Sequence, residues 1–469
     1  MADQALFSAF DPVSSKQWKQ KIQFDLKGVD YNKTLVWESL EGISVKPFYH
    51  SEDLKNHVSF QLPKDHACQI GQTIYAGNIE LANKKALDSL QRGATSLVFE
   101  LPKANTDWSL LLQNIPLERV TIHLNPHFLD IDAVKRLHEF IGAESTNIFF
   151  NYDIIGNLTK SGNWYQNLKT DHKRLDDIQE LVKNVQKIAA LSVDMALYQN
   201  AGASMIQQLA YGLAHANEYL NHSKNIQTNL TNKALVFKVA VGSNYFFEIA
   251  KLKALRWLWK SLTVEYGIKS ECHILAFPSK RNKTIYDYNV NMLRTTSECM
   301  SAVLGGANTV SNLPYDALYH KSNEFGERIA RNQLLILKEE GYFDEAVNAS
   351  EGAYYIEVLT EQLAQKALKL FKQLENSGGF LKALIKGIIQ KKINVAADRE
   401  QQLFDSGSLI LLGTNMHQNP NDKMKENLEL FPFLKQHQRK TLIEPILEKR
   451  LAESMERQRL DEETPTLKF

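Results

Sequence analysis

The chain has 469 residues, 43% of them hydrophobic and 23% charged, the balance of an ordinary globular protein. Its 55 basic and 54 acidic side chains leave a net charge of +1, so no overall field draws nucleic acid or an anionic membrane. The length suits one large domain with appendages, or two domains.

The first residues, "MADQALFSAFDPVSSKQW", carry acids early and no apolar core, so they are no signal peptide. No run of about 18 apolar residues follows anywhere, so no transmembrane helix is expected. Cys68, Cys272 and Cys299 lie far apart, without zinc-site spacing, which fits a reducing compartment. A cytoplasmic protein with no membrane or nucleic-acid partner is the expectation, and triplets such as Asn157-Leu-Thr159 carry no glycan.

Residues 1–82 are polar and irregular and read as an arm or cap. From residue 83 onward, short β-rich runs alternate with helical patterns. The strand candidates are 96–101, 119–124, 146–151, 191–197, 234–241, 272–277 and 308–313, with "GAYYIE" (352–357) a possible last one. Several are near-continuous apolar runs, as strands buried on both faces require. Helical periodicity fills 175–190, 204–221, 245–266, 289–304 and 328–340. About eight strand-then-helix units suit a closed parallel barrel; an open doubly wound sheet is the alternative, although no G-x-G-x-x-G or Walker loop is present. Residues 381–469 read as a charged, mostly helical linker, ending in "TPTLKF", which resembles the start of a strand.

A barrel enzyme places its chemistry at the C-terminal strand ends. Those ends offer Gln199 and Asn200, then a basic turn after Phe277 that reads as solvated, then Asn308, Thr309 and Ser311. No general acid or base is evident among them. Arg294 and Glu298 stand four apart on one helix and read as a structural ion pair. His123 and His127 read as packed or hydrogen-bonded rings. Ile249, Leu252, Leu255 and Trp259 form a core-facing stripe, and Gly305-Gly306 stops the preceding helix.

Six motifs carry a resemblance. "EGISVKPFY" (41–49), "QNAGASMIQQLAYGLAHANEYL" (199–220), "EIAKLKALRWLW" (248–259), "NVNMLRTTSECMSAVLGGANTVSN" (289–312), "RIARNQ" (328–333) and "YYIEVLTEQLAQKALKLFKQLENSGGF" (354–380) resemble the methylmalonyl-CoA mutase family. The resemblance implies a TIM (β/α)8 barrel followed by a flavodoxin-like cobalamin domain. It also implies a radical rearrangement of a coenzyme A thioester with adenosylcobalamin as radical source.

The chain departs from the family where the chemistry sits. The family's catalytic His at one strand end falls on Leu275, and its Gln-Thr-Ser-Gly-Trp run falls on Phe277 to Arg281. Its Tyr-His-Met-Gln-Glu-Ala-Gly becomes Ala196 to Gly202, without the His and the Glu, and Ser311 replaces a further His. A Phe-Asp-Leu-Ala-Thr-His-Arg-Gly run is reduced to "FELPKANT" (99–106). Tyr75, Gln199, Asn291, Arg294 and Asn308 remain as vestigial site positions. The cobalt-ligating Asp-x-His-x-x-Gly is missing, since none of the 13 histidines has Asp two positions before it. The framework without the chemistry resembles the small, non-catalytic subunit of heterodimeric mutases.

The expected layout is therefore an arm at 1–82, a TIM barrel at 83–380 and a helical linker at 381–469, with the cobalamin domain absent or truncated. No cofactor is expected on this chain, adenosylcobalamin belonging to a catalytic large subunit that is the expected partner. Phe7, Phe10, Trp18, Ile22, Phe24 and Leu26 of the arm are expected to meet it. The alternative is an active acyl-CoA mutase subunit with a separately encoded cobalamin domain. The barrel interior discriminates, because bulky groups among Phe99, His123, Phe149, Phe150, Phe237 and Phe277 would close the axis to a substrate.

Overall fold

A computed structural model describes residues 9–54, 66–142, 147–183, 185, 188–225, 233–345, 348–434 and 439–463. Its main sheet is all parallel. The strands are β1 Gln69–Tyr75, β2 Ser96–Leu101, β3 Thr121–Pro126, β4 Asn147–Phe150, β5, β6 Leu235–Val241, β7 Cys272–Pro278 and β8 Thr309–Ser311. β5 comes in two pieces, Ile188–Ala189 bonded to β4 and Ser192–Asp194 bonded to β6. β8 pairs with β1, Val310 opposite Ile70, so each strand has a neighbour on both sides and the sheet closes into a (β/α)8 barrel.

Alternation along the strands explains both layers of core. Leu97, Phe99, Ile122, Leu124, Ile148, Phe150, Phe237 and Ile274 point outward and pack beneath the surrounding helices. Val98, Phe149, Ala189, Val236 and Leu275 point inward and form a separate cluster, with Phe277 against it. Beside them His123 stacks on Phe149 at 4.9 Å between ring centroids, and His273 lies 4.2 Å from the same ring. Gly71 of β1 faces the axis with no spare room, since a Cβ there would stand 2.9 Å from Thr309 Cγ2. Of the six bulky residues singled out above, His123, Phe149 and Phe277 thus enter the axis, while Phe99, Phe150 and Phe237 leave it.

Four expectations are corrected. The sheet begins at Gln69, inside the segment read as an arm ending at residue 82. β1 escaped notice because its inward residues Gln69, Gly71 and Thr73 break the apolar run. The stretch 352–357 is no strand: a turn leads into the helix Tyr354–Asn376, whose buried Ile356, Leu359, Leu363 and Ala367 follow helical spacing. The run 191–197 gives only three strand residues before a short helix, Ala196–Asn200, takes over. The linker is helical at Ile388–Asp405 and Glu453–Glu462, but between them runs largely without regular structure. "TPTLKF" lies outside the described residues.

Before the barrel, a two-stranded ribbon (Trp37–Glu38 with Ser44–Val45) docks on the barrel helices. Trp37 meets Phe247 edge-on at 5.8 Å. At the turn of the ribbon, the Glu41 carboxylate accepts from the backbone N–H of Met205 (2.8 Å) and Ile206 (3.0 Å). It thereby caps the positive end of the 21-residue helix Met205–Asn225. Further out, the helix Ser15–Asp25 buries none of its residues.

Candidate functional site at the barrel mouth

The C-terminal strand ends carry a ring of polar groups that bond one another. Thr73 and Ser311 hydroxyls lie 2.8 Å apart. The Glu100 carboxylate accepts from Asn125 (2.6 Å) and pairs with His127 (3.1 Å); Asn125 in turn accepts from Asn151 (2.7 Å). Lys238 extends from β6 to Asp194 of β5 at 2.9 Å. Burial alone would lower the Lys238 ammonium, but Asp194, Glu100 and Asp153 outweigh it and raise the group above its ordinary value. Conversely, burial works to raise Asp194, and Lys238 with Lys160 holds it below the usual carboxylate range. Sequence reasoning passed over Lys238, although one lysine inside "LVFKVAV" was the available signal.

Behind this ring stands Asp153, which takes four donors. Its carboxylate accepts from Gly156 N (2.7 Å), Asp194 N (2.8 Å), His215 Nε2 (2.9 Å) and the Tyr219 hydroxyl (2.7 Å). His215 then meets the Tyr198 hydroxyl at 2.9 Å through Nδ1. All three rings are buried, so the Asp–His–Tyr chain braces the loop after β5 and presents no reactive atom to solvent. Directly below, desolvation pushes the His123 imidazole down to about 3, so it stays neutral inside the axis.

Of the vestigial positions, Asn291 and Arg294 meet, Arg294 donating to the Asn291 side-chain oxygen at 2.8 Å, and the others lie apart. Tyr75 is 62% exposed at the end of β1, its ring across Gly77. Gln199 is buried and binds Lys251 Nζ (2.7 Å). Asn291 bonds Thr284 and the Tyr315 carbonyl. Asn308 sits at the opposite, N-terminal end of β8, accepting from Arg256 (2.6 Å) and Ile274 N (2.8 Å). Leu275 is part of the axial cluster. The expected Arg294–Glu298 pair is not formed: Glu298 pairs with the buried Lys283 (2.7 Å), and Arg294 donates to the Leu412 carbonyl (2.6 Å). Lys283 reaches Glu298 first because both are enclosed, where an unpaired charge is costly.

The turn after β7, read above as solvated, is mostly buried. It receives a strap from the C-terminal region. Lys449 N donates to the Asn200 carbonyl (3.0 Å), and Leu451 N to the Arg281 carbonyl (2.9 Å). Arg281 answers with a bond to the Lys449 carbonyl (2.8 Å) and an ion pair with Glu400. Glu448 lies 3.2 Å from Asn200 Nδ2 and 3.3 Å from Lys280 Nζ. Residues 448–451 therefore cross the rim between the ends of β5 and β7.

A closed parallel barrel with a filled axis and an internally bonded mouth defines a TIM-barrel protein. Residues 66–463 match the family model for methylmalonyl-CoA mutase, and the chain belongs to that family. It is similar to the methylmalonyl-CoA mutase small subunit of Porphyromonas gingivalis, at 35% identity over 88% of this chain and 71% of the relative. The small subunit of Streptomyces virginiae is 27% identical over 85% and 70% of the two chains. The methylmalonyl-CoA mutase of Cereibacter sphaeroides is 28% identical over 88% and 65%, so the chain spans just under two thirds of that relative.

Proposed function

We propose that this chain is the non-catalytic small subunit of a heterodimeric, adenosylcobalamin-dependent methylmalonyl-CoA mutase, serving assembly and stability of a catalytic large subunit. The observation that carries this reading is the axis. Val98, Phe149, Val236 and Leu275 meet there, so a thioester arm has no path along it. Leu275 stands where the family's catalytic His falls, and the imidazoles nearest the mouth are enclosed in the axis or tied to Glu100. This arrangement does not suit a cobalt ligand, and adenosylcobalamin belongs to the partner chain in this reading. Cytoplasmic assembly is part of the proposal; among the described residues no helix is long and apolar enough to cross a membrane.

The arm supports a partner. Phe10, Trp18 and Phe24 are 74%, 50% and 79% exposed on or beside the unburied helix Ser15–Asp25. Exposed aromatics grouped on one segment mark an interaction surface; of these, Trp18 also meets Phe48 of this chain edge-on at 6.3 Å. Phe7 falls outside the described residues, and Ile22 and Leu26 are half-buried. The test is co-expression of the full chain, and of a chain lacking residues 1–28, with a catalytic mutase chain. The full chain should co-purify and support turnover of methylmalonyl-CoA, and the truncated one should bind weaker by several kcal/mol, as loss of buried aromatic anchors costs. Turnover by this chain supplied only with a free cobalamin domain would overturn the reading and support an active subunit with a separate cobalamin domain.

A further inference from the structure

On the flank of the barrel, the helices Leu168–Val182 and Met205–Asn225 border an open cleft of about 460 Å³. His172 and His222 lie against each other in it, with ring centroids 4.5 Å apart and planes tilted by 54°. Each ring is fixed through one nitrogen. His172 Nδ1 lies 2.9 Å from the Leu168 carbonyl oxygen, which only accepts, so Nδ1 carries the proton. His222 Nε2 lies 2.9 and 3.0 Å from the two oxygens of Asp176 and likewise donates. The neutral tautomers set in this way leave lone pairs on His172 Nε2 and His222 Nδ1.

Metal-binding imidazoles almost always give their other ring N–H to a carboxylate or a backbone carbonyl, which fixes the ring and raises its basicity. Both partners are present here, one for each ring. We propose that His172 and His222 form a two-imidazole site for a divalent transition metal of the zinc type, with water completing the coordination. Among the described residues no group of three His, Cys, Asp or Glu side chains is placed to hold a metal, so the two imidazoles are the protein ligands of this site. Of the acids in the cleft, Asp176 is engaged by His222, and Glu218 accepts from Leu381 N at 2.9 Å. Lys169 and Lys173 line the same cleft and balance those two carboxylates, leaving little net field for a cation. Affinity then rests on the nitrogens, which selects zinc, nickel or copper over magnesium or calcium.

The experiment is calorimetric titration of the EDTA-stripped full chain with zinc chloride. A single equivalent should bind with micromolar affinity and resist excess magnesium chloride. His172→Ala and His222→Ala should each weaken it at least about tenfold, Asp176→Asn by about tenfold through the lost orientation of His222, and Lys173→Ala, which removes a repelling ammonium, should not weaken it. His172→Gln and His222→Gln keep a polar side chain of similar length, and must give the same losses with unchanged circular dichroism. Absence of stoichiometric zinc uptake overturns the proposal. So does uptake that survives in both histidine variants, which would place the zinc on other side chains.

Discussion

Truncating Leu275 to Ala probes the filled axis directly. The side chain is fully buried against Val98, Phe149, Ala189 and Val236, so five strands contribute to one small cluster. Three carbons are lost, which removes about 2.4 kcal/mol of transfer free energy at ~0.8 kcal/mol per buried CH₂. The neighbours cannot close in, because ladder hydrogen bonds hold strands about 4.8 Å apart. A residual cavity of roughly 60 Å³ then adds about 1.5 kcal/mol, at ~24 cal/mol per Å³. The expected cost is about 4 kcal/mol, read from guanidinium titrations followed by circular dichroism at pH 7. Xenon under pressure should recover part of it, as a small dry apolar cavity binds such a guest. A loss below about 1 kcal/mol would refute the reasoning, since it would describe a loosely lined channel and not a packed axis.

Lys238→Met should destabilise the barrel by about 3–5 kcal/mol, because Asp194 loses its cation in an enclosed setting. The native protein should also lose stability on acidification. Asp194 and Glu100 are held below their ordinary values, so their contribution is present above about pH 4 and fades as pH falls through the folded values. Melts at pH 7 and pH 3 should differ more for the native chain than for Lys238→Met, and equal differences would count against the network. Glu41→Ala should cost about 1–2 kcal/mol as a lost helix cap and speed proteolysis within residues 37–45. Unchanged cleavage would mean that the ribbon is held by Trp37 and its neighbours instead.

The barrel was legible where both faces of a strand are apolar. "SLVFEL" and "CHILAF" announce β2 and β7 because the inward Val98 and Leu275 are as apolar as the outward Leu97 and Ile274. β1 was illegible because its inward side is polar or small, and the split in β5 left too few residues for a pattern. Local pattern also misplaced charges. Arg294 and Glu298 have helix-neighbour spacing, but only the tertiary fold decides that Lys283 is nearer and drier. Asp153, just after β4, carries no local pattern that marks it. Its role as acceptor for His215 and Tyr219, more than 60 positions away in sequence, depends on how a later helix returns to the barrel.

The strap over the rim has a temporal consequence. Arg281 and the Lys449 carbonyl that it binds are separated by 168 residues of synthesis. At about 5–20 residues per second, the turn after β7 waits roughly 8–34 s on the ribosome for its cover. Once β8 is made, about 30 residues into that interval, all eight strands exist, yet Arg281 and Asn200 still have no strap to bond. The nascent barrel is thus an unfinished object whose rim stays uncovered until its own C-terminal residues arrive.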